Sequence, residues 1–165
     1  MRTLLIGGAL GVLGVLLAGC GGSGTSSSEQ ALQRQADLNA IDQIEKSFHK
    51  ATSKKDIDLM MSLWAPNATF TTKPGQTLTG KQQIRRFWLA APAFQPDNHW
   101  ISDTPAYKIR ITVDGDRGTL HFECHYVDSK TKKLGPVTAA DQQVARINGS
   151  WLITDMVGGS ATLTP

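Results

Sequence analysis

Apolar side chains change their spacing partway along the chain. From about residue 30 to residue 52 they recur every three or four positions, the spacing of one buried face of an α-helix. From about residue 99 to residue 157, apolar and polar positions alternate instead, as they do along β-strands that bury one face. Helices followed by an antiparallel meander are typical of an α+β domain.

The first half of the domain predicts three helices. Ser28 is a candidate N-cap for the first helix, which is expected to end near residue 52. Asp56 is a candidate N-cap for a short second helix over residues 57–64, and the third covers about residues 81–89. The apolar stripe of the first helix contains Leu38, Ile41, Ile44, Phe48 and Ala51.

Turn signals divide the alternating half into strands. Pro105 interrupts the first long run, and Asn148-Gly149 predicts a hairpin before the last strand. The predicted strands cover about residues 68–72, 99–113, 119–128, 138–147 and 151–157. In the strand at 119–128, the face expected to meet the core carries Leu120, Phe122, Cys124 and Tyr126.

The N-terminal segment has the features of an export signal. Arg2 precedes an apolar run over residues 3–18, which is shorter than the roughly 20 residues of a membrane-spanning helix. The run ends in Leu17-Ala18-Gly19-Cys20, which resembles the lipobox of bacterial lipoproteins. That resemblance implies lipidation of Cys20 and cleavage just before it.

This predicts a signal peptide over residues 1–19, a lipidated Cys20 with a flexible tether over 20–28, and one domain over 29–160. The partner of Cys20 is then a membrane, which its acyl chains enter. We expect the protein on the extracytoplasmic face of a bacterial cell membrane.

Charge and cysteine content exclude some classes of protein. The chain has 17 basic and 14 acidic residues and a formal net charge of +3, with no basic stripe suited to nucleic acid. Of its two cysteines only Cys124 keeps its thiol once Cys20 is acylated, so no intramolecular disulfide is expected. Cys124 is expected to be a small buried apolar residue.

Four local motifs follow one another along the domain. They are Lys55-Asp56-Ile57-Asp58-Leu59, Ser62-Leu63-Trp64-Ala65-Pro66-Asn67-Ala68-Thr69-Phe70, Gly80 with Ile84 and Phe87, and Arg146-Ile147-Asn148-Gly149-Ser150-Trp151-Leu152-Ile153. Together they resemble the SnoaL-like part of the nuclear-transport-factor-2-like superfamily, also called the cystatin-like cone. The resemblance implies an α+β fold in which three N-terminal helices pack in the concave side of a curved antiparallel sheet. It also implies a pocket open at one end of the cone.

The resemblance also allows a comparison with the ketosteroid isomerases, which are enzymes of this fold. Ketosteroid isomerases use a tyrosine and a protonated aspartic acid as an oxyanion hole, with a second aspartate as base. These positions correspond to Phe48, Gln143 and Thr72, which lack the phenol and both carboxyls. Isomerisation by that mechanism is not expected, and no cofactor is implied.

His121, Glu123 and His125 form the most conspicuous polar cluster, because alternate residues of a strand share a face. Such a trio has the ligand types of a zinc site. Since the opposite face is apolar, we expect the three side chains on a solvated outer face, with a metal site or a partner contact as alternatives.

Asp141 and His99 are the weak candidates for acid–base chemistry. Asp141 shares a strand face with Gln143, so it is near the pocket if that face lines the cavity and at the rim if it does not. His99 precedes a strand, where either a place at the pocket mouth or a surface role fits.

Large inward side chains are expected either to fill the core or to line an apolar pocket. Three functions follow: non-catalytic binding of a small apolar ligand or a partner protein, an isomerase, cyclase or dehydratase with a non-standard acid–base residue, and a structural role as a homodimer. The candidate pocket-lining residues are Met60, Trp64, Phe70, Thr72, Trp88, Phe122, Tyr126 and Gln143.

Overall fold

The structure is a computed structural model that describes residues 26–72, 75–101 and 108–159. The predicted signal peptide, Cys20 and most of the predicted tether lie outside the described residues, as do residues 73–74 of a predicted turn. Among the helices of the described residues, none is both long and apolar enough to cross a membrane.

Helix α1 (Ser27–Lys54) begins with a capping box. The backbone N–H of Glu29 donates to Ser26 Oγ at 3.3 Å, and the backbone N–H of Ser26 donates to the Glu29 carboxylate at 2.7 Å. Because Ser26 is the N-cap in place of Ser28, the helix starts earlier than predicted and includes the last residues assigned to the tether. Lys55 ends it in the left-handed conformation, with φ at 57°.

Two further helices follow. Asp56 caps α2 (Ile57–Ser62), as predicted, by accepting from the backbone N–H of Leu59 at 2.9 Å. The helix ends two residues before the predicted limit because Trp64 already pairs with the last strand of the sheet. Helix α3 (Lys81–Ala90) leads into a short 3₁₀ turn over Pro92–Phe94.

Seven strands form one sheet in the described residues. They are β1 (Trp64–Thr71), β2 (Thr77–Thr79), β3 (Trp100–Ile101), β4 (Lys108–Asp114), β5 (Arg117–Asp128), β6 (Leu134–Ile147) and β7 (Ser150–Gly159). Their order in the sheet is β2-β1-β7-β6-β5-β3, with β4 also paired to β5. Every pair is antiparallel except β1 with β7, which is parallel.

The α+β class and the three helices are confirmed, and two details differ from the expectation. Helix α3 follows β1 and β2, so only α1 and α2 precede the sheet. The sheet is mostly but not wholly antiparallel, because β1 returns beside the last strand of the chain. Two parallel strands need a long connection between them, and here that connection is the chain from β2 to β6.

The two faces of the sheet differ in polarity. The inner face, defined by Leu120, Phe122 and Cys124, is buried and forms one core with Ile41 and Phe48 of α1. The outer face is defined by Lys108, His121, Glu123 and Asp141. The alternation predicted for β5 is thus confirmed, with its apolar side against the helices.

A buried carboxylate ties α1 to the far strands. Arg146 donates to Asp37 at 2.7 Å and the Trp151 indole N–H donates to it at 3.2 Å. Burial raises the pKa of the Asp37 carboxyl, but hydrogen bonds from Arg146, Trp151 and Gln33 lower it by more, so the net shift is downward. Asp37 therefore stays ionised and holds α1 against β6 and β7.

Candidate functional site

An apolar cavity of about 260 Å³ lies between helices α1 and α3, the 3₁₀ turn and strands β1, β5, β6 and β7. Two small residues, Ala140 and Gly158, leave room in the wall that the strands form. A side chain on Gly158 would meet the Phe70 ring at 3.2 Å. The larger lining side chains are Phe48, Phe70, Trp88, Phe122, Tyr126 and Met156.

The aromatic rings hold one another in place around this space. Trp88 stacks on Phe70, with ring centroids 5.8 Å apart and planes 3° from parallel. The edge of Phe48 meets Trp88 at 5.4 Å, and Phe48 also contacts Phe122 at 5.7 Å. Because each ring contacts others from a different element, the cavity has preformed walls.

Few of the residues that line the cavity are polar. One of its lining residues, Trp88, has a buried indole N–H with no hydrogen-bond partner within the part of the chain that the structure describes. Thr138 is part of the wall, and its hydroxyl contacts Cys124. Burial, and the charge of Cys124, raise the pKa of the Tyr126 phenol above its ordinary value, so this group stays neutral.

A buried cluster of Cys124, His49 and Glu45 adjoins the cavity. Nε2 of His49 lies 3.0 Å from Cys124 Sγ, and Nδ1 of the same ring lies 2.5 Å from Glu45 Oε1 in an ion pair that does not have hydrogen-bond geometry. Glu45 is wholly buried, and the other two residues are at most 4% exposed. Glu45 and His49 are four positions apart on α1, so one helical face presents both to β5.

The cluster keeps its imidazole protonated. Burial lowers the pKa of His49, but contacts with Cys124 and Glu45 raise it by more, to about 9. The ring is therefore a cation near neutral pH, with the Glu45 carboxylate on one side and the Cys124 sulfur on the other. A thiol beside an imidazolium is the environment that favours its thiolate form.

Half of the predicted pocket residues line the cavity. Phe70, Trp88, Phe122 and Tyr126 do so. The other four do not: Met60 and Trp64 are fully buried in the core, the Thr72 hydroxyl donates to the backbone oxygen of Gln76, and Gln143 is exposed.

Asp141 and Gln143 share a strand face, as predicted, but it is the outer one. Around them in β6, Ala140, Gln142 and Val144 are buried, so Gln142 and not Gln143 turns toward the core. Its amide contacts Met156 Sδ at 3.7 Å. Gln143, which is predicted to line the pocket, therefore faces outward. Its neighbour Gln142 is equally polar but is buried, so polarity alone does not show which of the two turns inward.

The His121 row points outward, as expected. His121 contacts Asp141 at 2.6 Å and Glu123 at 3.2 Å, and Lys108 contacts Glu123 at 3.1 Å. Glu123 is nevertheless only 8% exposed, because its neighbours cover it, so this part of the face is not solvated. Nδ1 of His125 is 3.3 Å from a backbone oxygen. Within the described ranges, no group of three or more such side chains is placed to hold a metal ion.

His99 lies in a separate shallow depression. Its neighbours there include Asp97, Trp100 and Asp128, and its backbone oxygen accepts from the N–H of Ser129 at 2.9 Å. Neither His99 nor Asp141 lines the apolar cavity.

His49 and Glu45 are not among the residues predicted from the sequence. A signal was present, because both residues fall on the same stripe of α1 as Ile41, Ile44 and Phe48. Charged residues on an apolar stripe are buried together with it, which requires partners there. The partner Cys124 is remote in sequence and enters only through the fold.

Comparisons with known proteins agree on the fold. Residues 44–153 match the model of the SnoaL-like domain family. An NTF2-like protein with a cystatin-like fold from Novosphingobium aromaticivorans superposes with a TM-score of 0.70 at 14% identity, over 85% of this chain and 93% of that chain. Among curated proteins, none matches the sequence.

Two similar structures carry enzyme names. A hexachlorocyclohexane dehydrochlorinase, LinA-type3, from Novosphingobium barchaimii has a TM-score of 0.65 at 18% identity, over 82% of this chain and 93% of that chain. A putative dehydratase of the NTF2-like family from Streptomyces avermitilis has 0.62 at 15%, over 78% of this chain and 99% of that chain. At these identities the likeness shows the fold alone. Because the family model covers most of the domain, the chain belongs to the SnoaL-like domain family.

Proposed function

We propose that this domain binds a small, mostly apolar molecule that carries one hydrogen-bond acceptor. The observation that supports this is the preformed aromatic cavity of about 260 Å³, which is lined by Trp88, whose buried indole N–H has no partner among the described residues. A buried N–H without an acceptor destabilises the empty site by about 1–3 kcal/mol. A ligand carbonyl or ether oxygen would remove that penalty.

The cavity fits a compact ligand. Its volume is just below the roughly 300–1,000 Å³ that is usual for ligand pockets. Aromatic walls favour flat or aromatic groups, since offset-stacked and edge-to-face ring pairs are stabilising. The ligand class we propose is therefore a single ring or a short chain with one oxygen function.

Binding without turnover is the form of this proposal that the cavity supports. Phe48 lines the cavity without a phenolic hydroxyl, and Thr72 and Gln143 lie outside it. The two acid–base candidates, Asp141 and His99, also lie outside it. An isomerase mechanism of the ketosteroid type therefore lacks its groups at the three positions that correspond to them.

A cavity-filling variant tests the proposal. Ala140→Leu should fill part of the space and weaken binding of a monoaromatic ketone such as benzylacetone by about tenfold or more, which is at least 1.4 kcal/mol. The matched control is Ala145→Leu, since Ala145 lies on the same strand but not at the cavity. The readouts are the ligand-induced rise in melting temperature and calorimetric titration. Equal binding by both variants, or no ligand-induced shift across a panel of small apolar compounds, would refute the cavity as the binding site.

We also propose that the domain works while anchored to the outer side of a membrane through acyl chains on Cys20. The sequence around Cys20 supports this, because an apolar segment and two small residues precede the cysteine. Acyl chains contribute about 0.8 kcal/mol for each buried methylene. Cys20→Ser should release the protein from the membrane fraction with an unchanged melting temperature. Retention in that fraction would contradict the anchor.

A further inference from the structure

We propose that Cys124 is a nucleophile that captures electrophilic ligands, specifically α,β-unsaturated ketones and aldehydes, from the apolar cavity. The inference rests on the proposed binding function, because the cavity delivers the ligand. Cys124, His49 and Glu45 follow the order of nucleophile, proton carrier and orienting carboxylate, with contacts of 3.0 and 2.5 Å.

The cluster has features that an inert buried cysteine does not require. The His49 imidazole is buried beside the sulfur and the Glu45 carboxylate is buried on the far side of that ring, although burying such groups is costly unless they are paired. An ordinary core cysteine needs only apolar neighbours. Here the helix that packs on Cys124 supplies a protonated imidazole at hydrogen-bonding distance from the thiol, so the sulfur is held where its thiolate form is stabilised.

Cys124 itself is only 1% exposed, so access must come from the cavity. Four of the residues around the cluster line that cavity: Phe122 and Tyr126 two positions either side of Cys124, Thr138 opposite it, and Phe48 beside His49. Thr138 Oγ1 lies 3.2 Å from the sulfur and forms part of the cavity wall. The path that we propose from the ligand to Sγ runs past this side chain and needs a change of its rotamer, which is a fast motion.

The reaction needs no further reactant. The Cys124 thiolate attacks the β-carbon of the enone and forms an S–C bond, while the C=C π electrons move toward the carbonyl. The proton held by His49 Nε2 then goes to the α-carbon. The net change is addition of the thiol S–H across the C=C bond, which leaves a thioether and a neutral imidazole. Glu45 acts as a positioning residue, because it contacts His49 and not the ligand.

Two matched ligands test this. The full chain with Cys20→Ser has Cys124 as its only thiol. It is incubated with benzylideneacetone, an enone, or with benzylacetone, its saturated counterpart. We expect intact-mass spectrometry to show one enone added per chain and peptide mapping to place it on Cys124. An excess of benzylacetone should slow the addition, because both ligands occupy the same cavity.

Variants separate reactivity from structure. His49→Gln should slow the addition by about a hundredfold, the usual scale of a positioned proton carrier. Glu45→Gln should slow it less and change the pH profile of the rate. The same chain unfolded in denaturant gives the intrinsic thiol rate, so each folded variant is compared with its own unfolded form.

The outcomes distinguish the two proposals. If benzylacetone raises the melting temperature but the folded chain reacts no faster than the unfolded one, covalent capture is wrong and binding stands. If neither ligand shifts the melting temperature, binding in the cavity fails as well. Addition at a residue other than Cys124, or a rate that His49→Gln leaves unchanged, would also overturn the capture mechanism.

Discussion

Two histidine–carboxylate pairs on opposite sides of the sheet show how burial changes what a contact contributes to stability and to chemistry. His49 lies 2.5 Å from Glu45 in the core, and His121 lies 2.6 Å from Asp141 on the outer face. The two distances are nearly equal. The Glu45 side chain is fully buried, whereas that of Asp141 is 70% exposed.

The two environments predict different energetics and different chemistry. Water screens an exposed ion pair, so its contribution is at most about 1 kcal/mol. A buried pair interacts strongly, and removing one partner leaves the other without compensation. The inner cluster therefore holds a proton on His49 beside a sulfur, whereas the outer pair leaves its Asp141 carboxylate in water.

The largest expected effect is the loss of the inner carboxylate. Glu45→Ala should lower the free energy of unfolding by about 3–5 kcal/mol, because it leaves the His49 ring buried without its counter-charge. Urea unfolding monitored by tryptophan fluorescence measures the change.

The same helix supplies the control. Asp42 pairs with Lys46 at the same four-residue spacing but on an exposed face, with side chains 26% and 52% exposed. Asp42→Ala should cost less than about 1 kcal/mol. If the two variants are equally destabilised, burial does not distinguish these pairs, and the inner cluster contributes no more to stability than a surface ion pair.

The sequence predicts much of this fold, but it shows the outer row of polar residues and not the inner cluster. Alternation along β5 correctly separates Phe122 and Cys124 from His121 and Glu123, because one strand contains both faces. The inner cluster joins α1 to β5, and no periodicity within one segment shows that His49 meets Cys124 across 75 positions. The row at 121–125 is conspicuous in the sequence because alternate residues of one strand share a face. That proximity can be read from the sequence without knowing the tertiary structure.

The register of β6 shows a second limit. Polarity places Asp141 and Gln143 on one face correctly, but two adjacent glutamines, Gln142 and Gln143, give no indication of which one turns inward. Packing decides, because Gln142 lies between Leu120 and Met156 in the paired strands. The family resemblance predicts the fold, but only the structure shows which side chains line the cavity.

The pH dependence of stability is the second effect. The pKa of His49 is raised from 6.5 to about 9 in the folded state. A raised pKa stabilises the fold fully below pH 6.5, and this contribution disappears as the pH rises through 9. The contribution is about 3 kcal/mol, as the shift implies. The free energy of unfolding should therefore fall by this amount as the pH is raised from below 6.5 to above 9.

His49→Gln is the reference for that measurement, because glutamine carries no proton to lose. Its stability should change little over the same interval, apart from groups common to both proteins. A Cys124→Ser variant then shows how much of the slope depends on the sulfur that contacts the ring. Parallel curves for the wild type and His49→Gln would contradict a protonated inner imidazole.

The smallest effect belongs to the outer pair. Asp141→Asn should lower the free energy of unfolding by about 0.5 kcal/mol at low salt, and the difference should vanish near 1 M salt, where screening extends over about 3 Å. Glu45→Gln provides the contrast, since salt cannot enter the core and its larger penalty should persist at the same concentration. Urea midpoints of the wild type and both variants at low and high sodium chloride give the comparison. A salt-independent effect of Asp141→Asn would mean that the outer pair is shielded from solvent as well, and burial would no longer be what separates the two histidines.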